Sequence, residues 1–299
     1  MAFNIFESIS ESFNTVVNEP YRVLIGIGLS LIYTIPTNIG DGLIRYSMEG
    51  LFNNYYGNMM MNEGLNSLQL LSPISMIGIF LFAIGLLLAL IVGSILSGYY
   101  LRVSKETVIG SGDKLPNWNN WLDLFLNGFI WSIGVFALSL IMLIVFMIIP
   151  IIVGVIIYMV LKSMVFISMF VALLFLIPYF IFMWLYIPLG SVNYAVNGFW
   201  ALFDFKKIIR LISIEYVFLL IVWTIITLIV GVIMSIIMFI FGFILLTLPT
   251  MLSHGGFDII FNVIYEIIYS IFASITSVIL GIVSYKLYGK YYRYKINEL

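Results

Sequence analysis

Residues 98–128 read GYYLRVSKETVIGSGDKLPNWNNWLDLFLNG, and on either side of them the chain turns almost wholly apolar. Upstream, Ile74 to Leu96 carries no charge, and downstream Phe129 to Leu185 carries only Lys162. A hydrocarbon layer about 30 Å thick is crossed by about 20 helical residues, so the polar stretch separates segments of spanning length. Composition agrees: 63% of residues are apolar, 9% are charged and the mean hydropathy is +1.16. Soluble domains hold roughly 45–50% apolar and 25% charged residues. The chain therefore reads as an integral membrane protein of the all-α class, with too little polar sequence for a separate soluble domain. We expect an amphipathic interfacial helix over 1–20 and a single membrane domain over 21–299.

Working outward, the expected bundle has about six spans, near 23–43, 74–97, 129–158, 164–187, 216–246 and 259–285. Interfacial segments join them at about 98–128 and 188–213. In the N-terminal helix, Phe6, Ile9, Phe13 and Val16 or Val17 fall on one face. Pro20 separates that helix from Val23 to Ile35, which at 13 residues is too short to span alone. Either it continues as a kinked helix through Pro36 to Leu43, burying Asn38 and Asp41, or it is re-entrant. Gly40 to Ser72, rich in Asn, Gly, Met and Tyr, reads as a loop. In the second span Gly85, Ala89, Gly93 and Ser97 form a small-residue stripe suited to helix packing. The run after residue 128 is divided into two spans by a turn at Lys162, the first of them kinked or broken at Pro150.

Within 98–128, Pro116 and Asn117 are expected to open a helix whose one face holds the interfacial anchors Trp118, Trp121 and Phe125 with Leu122. In the second interfacial segment Ala201, Phe205, Ile208 and Ile212 share a face, flanked by Lys206 and Arg210. An interfacial segment followed by an over-long helix thus occurs twice, and the triplets Asn127-Gly128-Phe129 and Asn197-Gly198-Phe199 suggest an internal repeat. Six spans place 11 of the 13 Lys and Arg residues on one side. By the positive-inside rule that side is cytoplasmic, which expects a multi-pass protein of the cell membrane with both termini inside.

The sequence carries little that points to catalysis. There is no cysteine, which excludes disulfides and thiolate chemistry. His254-Gly255-Gly256 lacks an accompanying nucleophile elbow, and Gly110 to Lys114 lacks the spacing of a phosphate-binding loop. No cofactor, metal site or nucleic-acid partner is expected, and the chain is expected not to be an enzyme. Glu266 stands out two turns into the last span. Asn262, Glu266, Ser270 and Ser274 repeat at helical spacing, with Tyr269 alongside, as a polar track for an ion, a proton or a headgroup. The competing reading is a polar packing face with Glu266 hydrogen-bonded. Lys206, Lys207, Arg210, Lys286, Lys290 and Arg293, interleaved with aromatic residues, are candidate contacts for anionic headgroups, or else only set orientation.

The order Gly98-Tyr99, Arg102, Leu115-Pro116, Trp118, Trp121, Leu124-Phe125 and Asn127-Gly128 resembles the core of the integral-membrane family called domain of unknown function 4013, common in archaea. The sequence departs from it at Asn119, Asn120 and Asn127, where acidic residues are usual. The resemblance implies a membrane fold and no particular reaction. Together these features favour a non-enzymatic membrane component that binds lipid, a membrane-protein partner or a second copy of itself. The alternative is a small transporter or channel using the face around Glu266.

Overall fold

The computed structural model describes residues 3–60, 73–110, 114–161, 165–247 and 258–298. Lys162 and His254 lie outside these residues, as does most of the Gly110 to Lys114 turn. Helices run from Ile5–Asn18 (α1), Pro20–Met60 (α2), Pro73–Ile109 (α3), Trp121–Leu161 (α4), Val165–Asn197 (α5), Phe205–Leu211 (α6), Ile214–Gly242 (α7) and Asp258–Glu298 (α8). A 3-10 turn, Phe199–Phe203, precedes α6, and a π turn, Phe243–Thr247, follows α7. No strand occurs among the described residues. Six of the helices are long and apolar enough to cross a membrane. On α7, Leu228, Ile229, Val232, Ile233, Ile236 and Phe239 all point outward. Hydrocarbon, rather than water, suits such a surface, and helices suit hydrocarbon because they satisfy their own backbone groups. These features fit a multi-pass membrane protein.

Several boundaries differ from the sequence expectation, in one consistent direction: helices run further. α2 is unbroken from Pro20 through Pro36 to Met60, so the segment is neither re-entrant nor followed by a loop at Gly40. Pro20 takes the first helical position, where its missing N–H costs nothing. The described residues of 98–128 hold no separate interfacial helix. Their first part completes α3 and their last part opens α4 at Trp121, not at Pro116. Likewise residues 188–197 complete α5, with Pro178 and Pro188 both inside the helix, and α8 continues past residue 285 to Glu298. The Asn-Gly-Phe triplets sit in unlike settings. Gly128 is inside a helix, whereas Gly198, at φ +88°, ends one in a conformation that favours glycine. The triplets therefore mark no common turn. On α1 the buried side is Ile5, Ile9, Ser12, Thr15 and Val16, while Phe6 (68% exposed) and Val17 (72%) face out. Ser12 and Thr15 can sit on the buried side because their hydroxyls fold back onto the carbonyls of Ser8 and Glu11.

The contacts group the chain into two compact units that interleave along the sequence. The first comprises Met1–Glu19, Ser97–Trp223 and Ile282–Leu299. Its core is tyrosine-rich, and every buried hydroxyl of this set finds an acceptor. Tyr99 donates to the carbonyl of Pro116, Tyr186 to Leu202, Tyr216 to Leu185 and Tyr291 to Leu211, and Tyr292 donates to Asn193 Oδ1. Three of these acceptors lie at or beyond helix ends, where carbonyls lack intrahelical partners. The second unit comprises Pro20–Leu96 and Thr224–Gly281. There α2 and α3 approach at backbone distance: a side chain on Gly40 would strike the backbone of Phe82, and one on Gly85 would strike Thr37. Gly85 from the expected stripe is therefore used, but Gly93 faces open space.

Candidate functional site

The polar track on α8 meets a second one on α2, inside the second unit. Arg45 Nη2 lies 2.9 Å from Glu266 Oε1 and 2.9 Å from Asp41 Oδ2. One turn along, Asn38 Nδ2 donates to Ser270 Oγ at 3.0 Å, and Ser270 Oγ donates to the carbonyl of Glu266. One turn further, the hydroxyls of Thr34 and Ser274 meet at 3.0 Å. Gly42 makes the approach possible, since a Cβ there would lie 2.8 Å from both Asn262 Oδ1 and Glu266 Cγ. Asn262 Oδ1 is buried without a hydrogen-bond partner. Tyr269 is turned away from the seam and lines an apolar crevice with Met234, Met238 and Phe272. Thus four of the five expected track residues come together, and their partners Thr34, Asn38, Asp41 and Arg45 were not read as one face. The signal was there, in polar residues recurring every three or four positions of α2. Arg45 engages both acids, and among the described residues no three His, Cys, Asp or Glu side chains gather to hold a metal ion.

In the first unit, residues 98–128 lock onto themselves. Gly98 allows the backbone of α3 to touch that of α4 at the carbonyl of Leu124. Tyr99 stacks on Trp118 with ring centroids 3.6 Å apart and planes 6° from parallel. Arg102 Nη1 donates to the carbonyls of Asn117 (3.2 Å) and Asn119 (2.9 Å) and to Asn119 Oδ1 (2.7 Å), and its Nη2 donates to Asp123 Oδ2 (3.1 Å). Asn120, at φ +53°, makes the turn into α4. Trp118 thus packs against Tyr99 and also stacks on Trp121, with ring centroids 5.8 Å apart. Trp121 is exposed, and Phe125 stacks against Phe129. Asn119 and Asn127, where acidic residues were anticipated, still supply polar contacts: Asn119 accepts from Arg102, and Asn127 Nδ2 donates to Asp123 Oδ1. A pocket of about 340 Å³ adjoins this lock, lined by Arg102, Lys105, Asp123, Asn127 and Tyr194 among apolar neighbours.

The candidate headgroup cations separate into two sets. Lys286, Lys290 and Arg293 recur on one face of α8 and line a cleft of about 490 Å³ in the first unit, with Glu11, Asn14, Thr15 and Asn18 of α1 and Thr107 of α3. Lys286 is buried and bonds Thr15 Oγ1. Lys290 pairs with Glu11, and Arg293 Nη1 donates to the carbonyl of Gly110 at 2.9 Å. The other set does not line this cleft. Lys206 and Arg210 are exposed on α6, and Lys207 lies 5.7 Å from the ring centroid of Tyr292. The α1 residues of the cleft escaped sequence reading because their partners stand more than 270 positions away.

The family model described as "Protein of unknown function (DUF4013)" matches residues 81–243, more than half of the chain. The chain belongs to this family. The DUF4013 match contains the whole lock of residues 98–128, whereas most of the basic cleft and the polar seam lie outside it. Uncharacterized protein MJ1189 of Methanocaldococcus jannaschii is 37% identical over 145 residues, covering 48% of this chain and 50% of the relative. Uncharacterized protein MJ0233 of the same organism is 32% identical over 148 residues, covering 50% and 53%. The chain thus spans about half the length of these relatives. No solved structure matches.

Proposed function

We propose that this DUF4013 protein is a non-enzymatic component of the cell membrane, with both termini cytoplasmic, whose basic cleft holds the anionic headgroup of a membrane lipid. The observation that carries the reading is the gathering of Lys286, Lys290 and Arg293 around one cleft whose lining, among the described residues, holds a single carboxylate, Glu11. Each cation near an anionic surface contributes about 1 kcal/mol, so three convergent ones favour a headgroup over a neutral ligand. The polar seam supports a packing role for Glu266 rather than a path for a transported solute, since Thr34, Asn38, Arg45, Glu266, Ser270 and Ser274 spend hydrogen bonds on one another. Native mass spectrometry of the detergent-purified protein tests this. Anionic phospholipid should remain bound where phosphatidylcholine is lost, and Lys290→Gln/Arg293→Gln should abolish the difference. Equal retention of both lipids would exclude the reading.

A further inference from the structure

The three cations of the cleft are engaged in unequal ways, and the inequality indicates what the cleft is shaped to receive. Lys286 is committed to a buried bond with Thr15. Arg293 has one Nη engaged by the carbonyl of Gly110, which leaves most of a five-donor fork for another acceptor. Lys290, with its side chain only 19% exposed, is held by Glu11, whose own side chain is 58% exposed. A partly desolvated ammonium is stabilised by an anion beside it. Here a solvent-facing carboxylate, which loses little by returning to water, occupies that position. A phosphate offers more acceptor oxygens to Lys290 and Arg293 together than the carboxylate offers to Lys290 alone. The remaining polar lining includes Asn14, Asn18 and Asn297. Amides both donate and accept, as the hydroxyls of a polyol require, and they have no preference for a quaternary ammonium.

We infer that the cleft binds a phosphorylated polyol, its phosphate displacing Glu11 from Lys290 and its hydroxyls meeting Asn14, Asn18 and Asn297, so that Glu11 is the resident counter-anion of an exchangeable site. This rests on the headgroup reading above and narrows it to one ligand class. The same chemistry is offered by phosphatidylglycerol in the bilayer and by free glycerol phosphate in water.

The test uses the full chain in lipid nanodiscs and measures occupancy by native mass spectrometry. The probes are phosphatidylglycerol, phosphatidic acid and phosphatidylcholine, with glycerol phosphate as a soluble competitor. Phosphatidylglycerol should bind at least tenfold more tightly than phosphatidylcholine. Glu11→Gln, at an exposed position, should raise phosphatidylglycerol affinity severalfold, and Lys206→Gln/Arg210→Gln should leave it unchanged. Asn14→Ala/Asn18→Ala should weaken phosphatidylglycerol more than phosphatidic acid, which lacks the second glycerol. Competition by millimolar glycerol phosphate would support the site with a soluble ligand, and its failure to compete with bound phosphatidylglycerol would support the lipid. If anionic lipids bind selectively but Glu11→Gln weakens or does not alter them, or the asparagine changes affect both anionic lipids equally, the inference is overturned while the headgroup reading stands. If neither anionic lipid is preferred to phosphatidylcholine, the headgroup reading itself fails.

Discussion

Arg45 and Glu266 show how much one contact changes the meaning of a residue. Glu266 alone on an apolar helix invites a functional reading, because an isolated acid in a membrane is expensive. With Arg45 Nη2 at 2.9 Å it becomes half of an ion pair whose acid is 5% exposed and whose base is 60% exposed. Removing the base leaves a buried acid without its counter-charge, a loss of 3–5 kcal/mol in fully buried pairs and about 1 kcal/mol or less at a surface. Arg45→Ala should therefore lower stability by about 2 kcal/mol, between those limits. Glu266→Gln should cost less, and Arg45→Ala/Glu266→Gln should recover most of the single-mutant loss. Thermal unfolding in detergent reads all three, and a double mutant no better than Arg45→Ala would show that the pair is not the reason Glu266 is tolerated.

At the scale of helices, close approach is governed by particular glycines rather than by the stripe as a whole. Gly98 and Gly93 lie on the same helix, yet a Cβ at Gly98 would overlap the carbonyl of Leu124, while one at Gly93 meets nothing within 4 Å. Gly98→Ala should push α3 from α4 and strain the Tyr99 and Arg102 contacts, with a loss on the order of 1–3 kcal/mol as for other overpacked sites. Gly93→Ala should be neutral or stabilising by up to about 1 kcal/mol, through the higher helix propensity of alanine. Unfolding midpoints of the two variants, measured side by side, check the assignment. The spacing of small residues was legible in the sequence. Which of them faces a neighbouring backbone was not, because that depends on helix rotation.

For the whole molecule, the distribution of Lys and Arg predicts an orientation that labelling can measure directly. The chain contains no cysteine, so single cysteines can be added without removing any. If six helices cross the membrane with both ends inside, a cysteine at Met48, the end of the first span, and one at Asn297 in the tail should report opposite sides. In intact cells a membrane-impermeant maleimide should label Met48→Cys, and Asn297→Cys only after permeabilisation. Labelling of both from outside would refute the orientation and relocate the basic cleft to the outer face.

Sequence alone determined the helical class of the molecule and about six runs of spanning length, the first left open between a span and a re-entrant segment, since both follow from the length and apolarity of continuous runs, local quantities that any spanning helix must satisfy. It also located Glu266, Asn262, Ser270 and Ser274 on one helical face, because period 3.6 is a property of the chain itself. Only the tertiary structure showed that this face is answered by Thr34, Asn38 and Arg45, and that Lys286, Lys290 and Arg293 close a cleft with Glu11 and Thr15. It also turned residues 98–128 from an expected surface helix into two helix ends clasped by Gly98, Tyr99 and Arg102. Those partnerships join positions far apart in the chain, and the free energy of burying and pairing polar groups chooses among them only when the helices are packed.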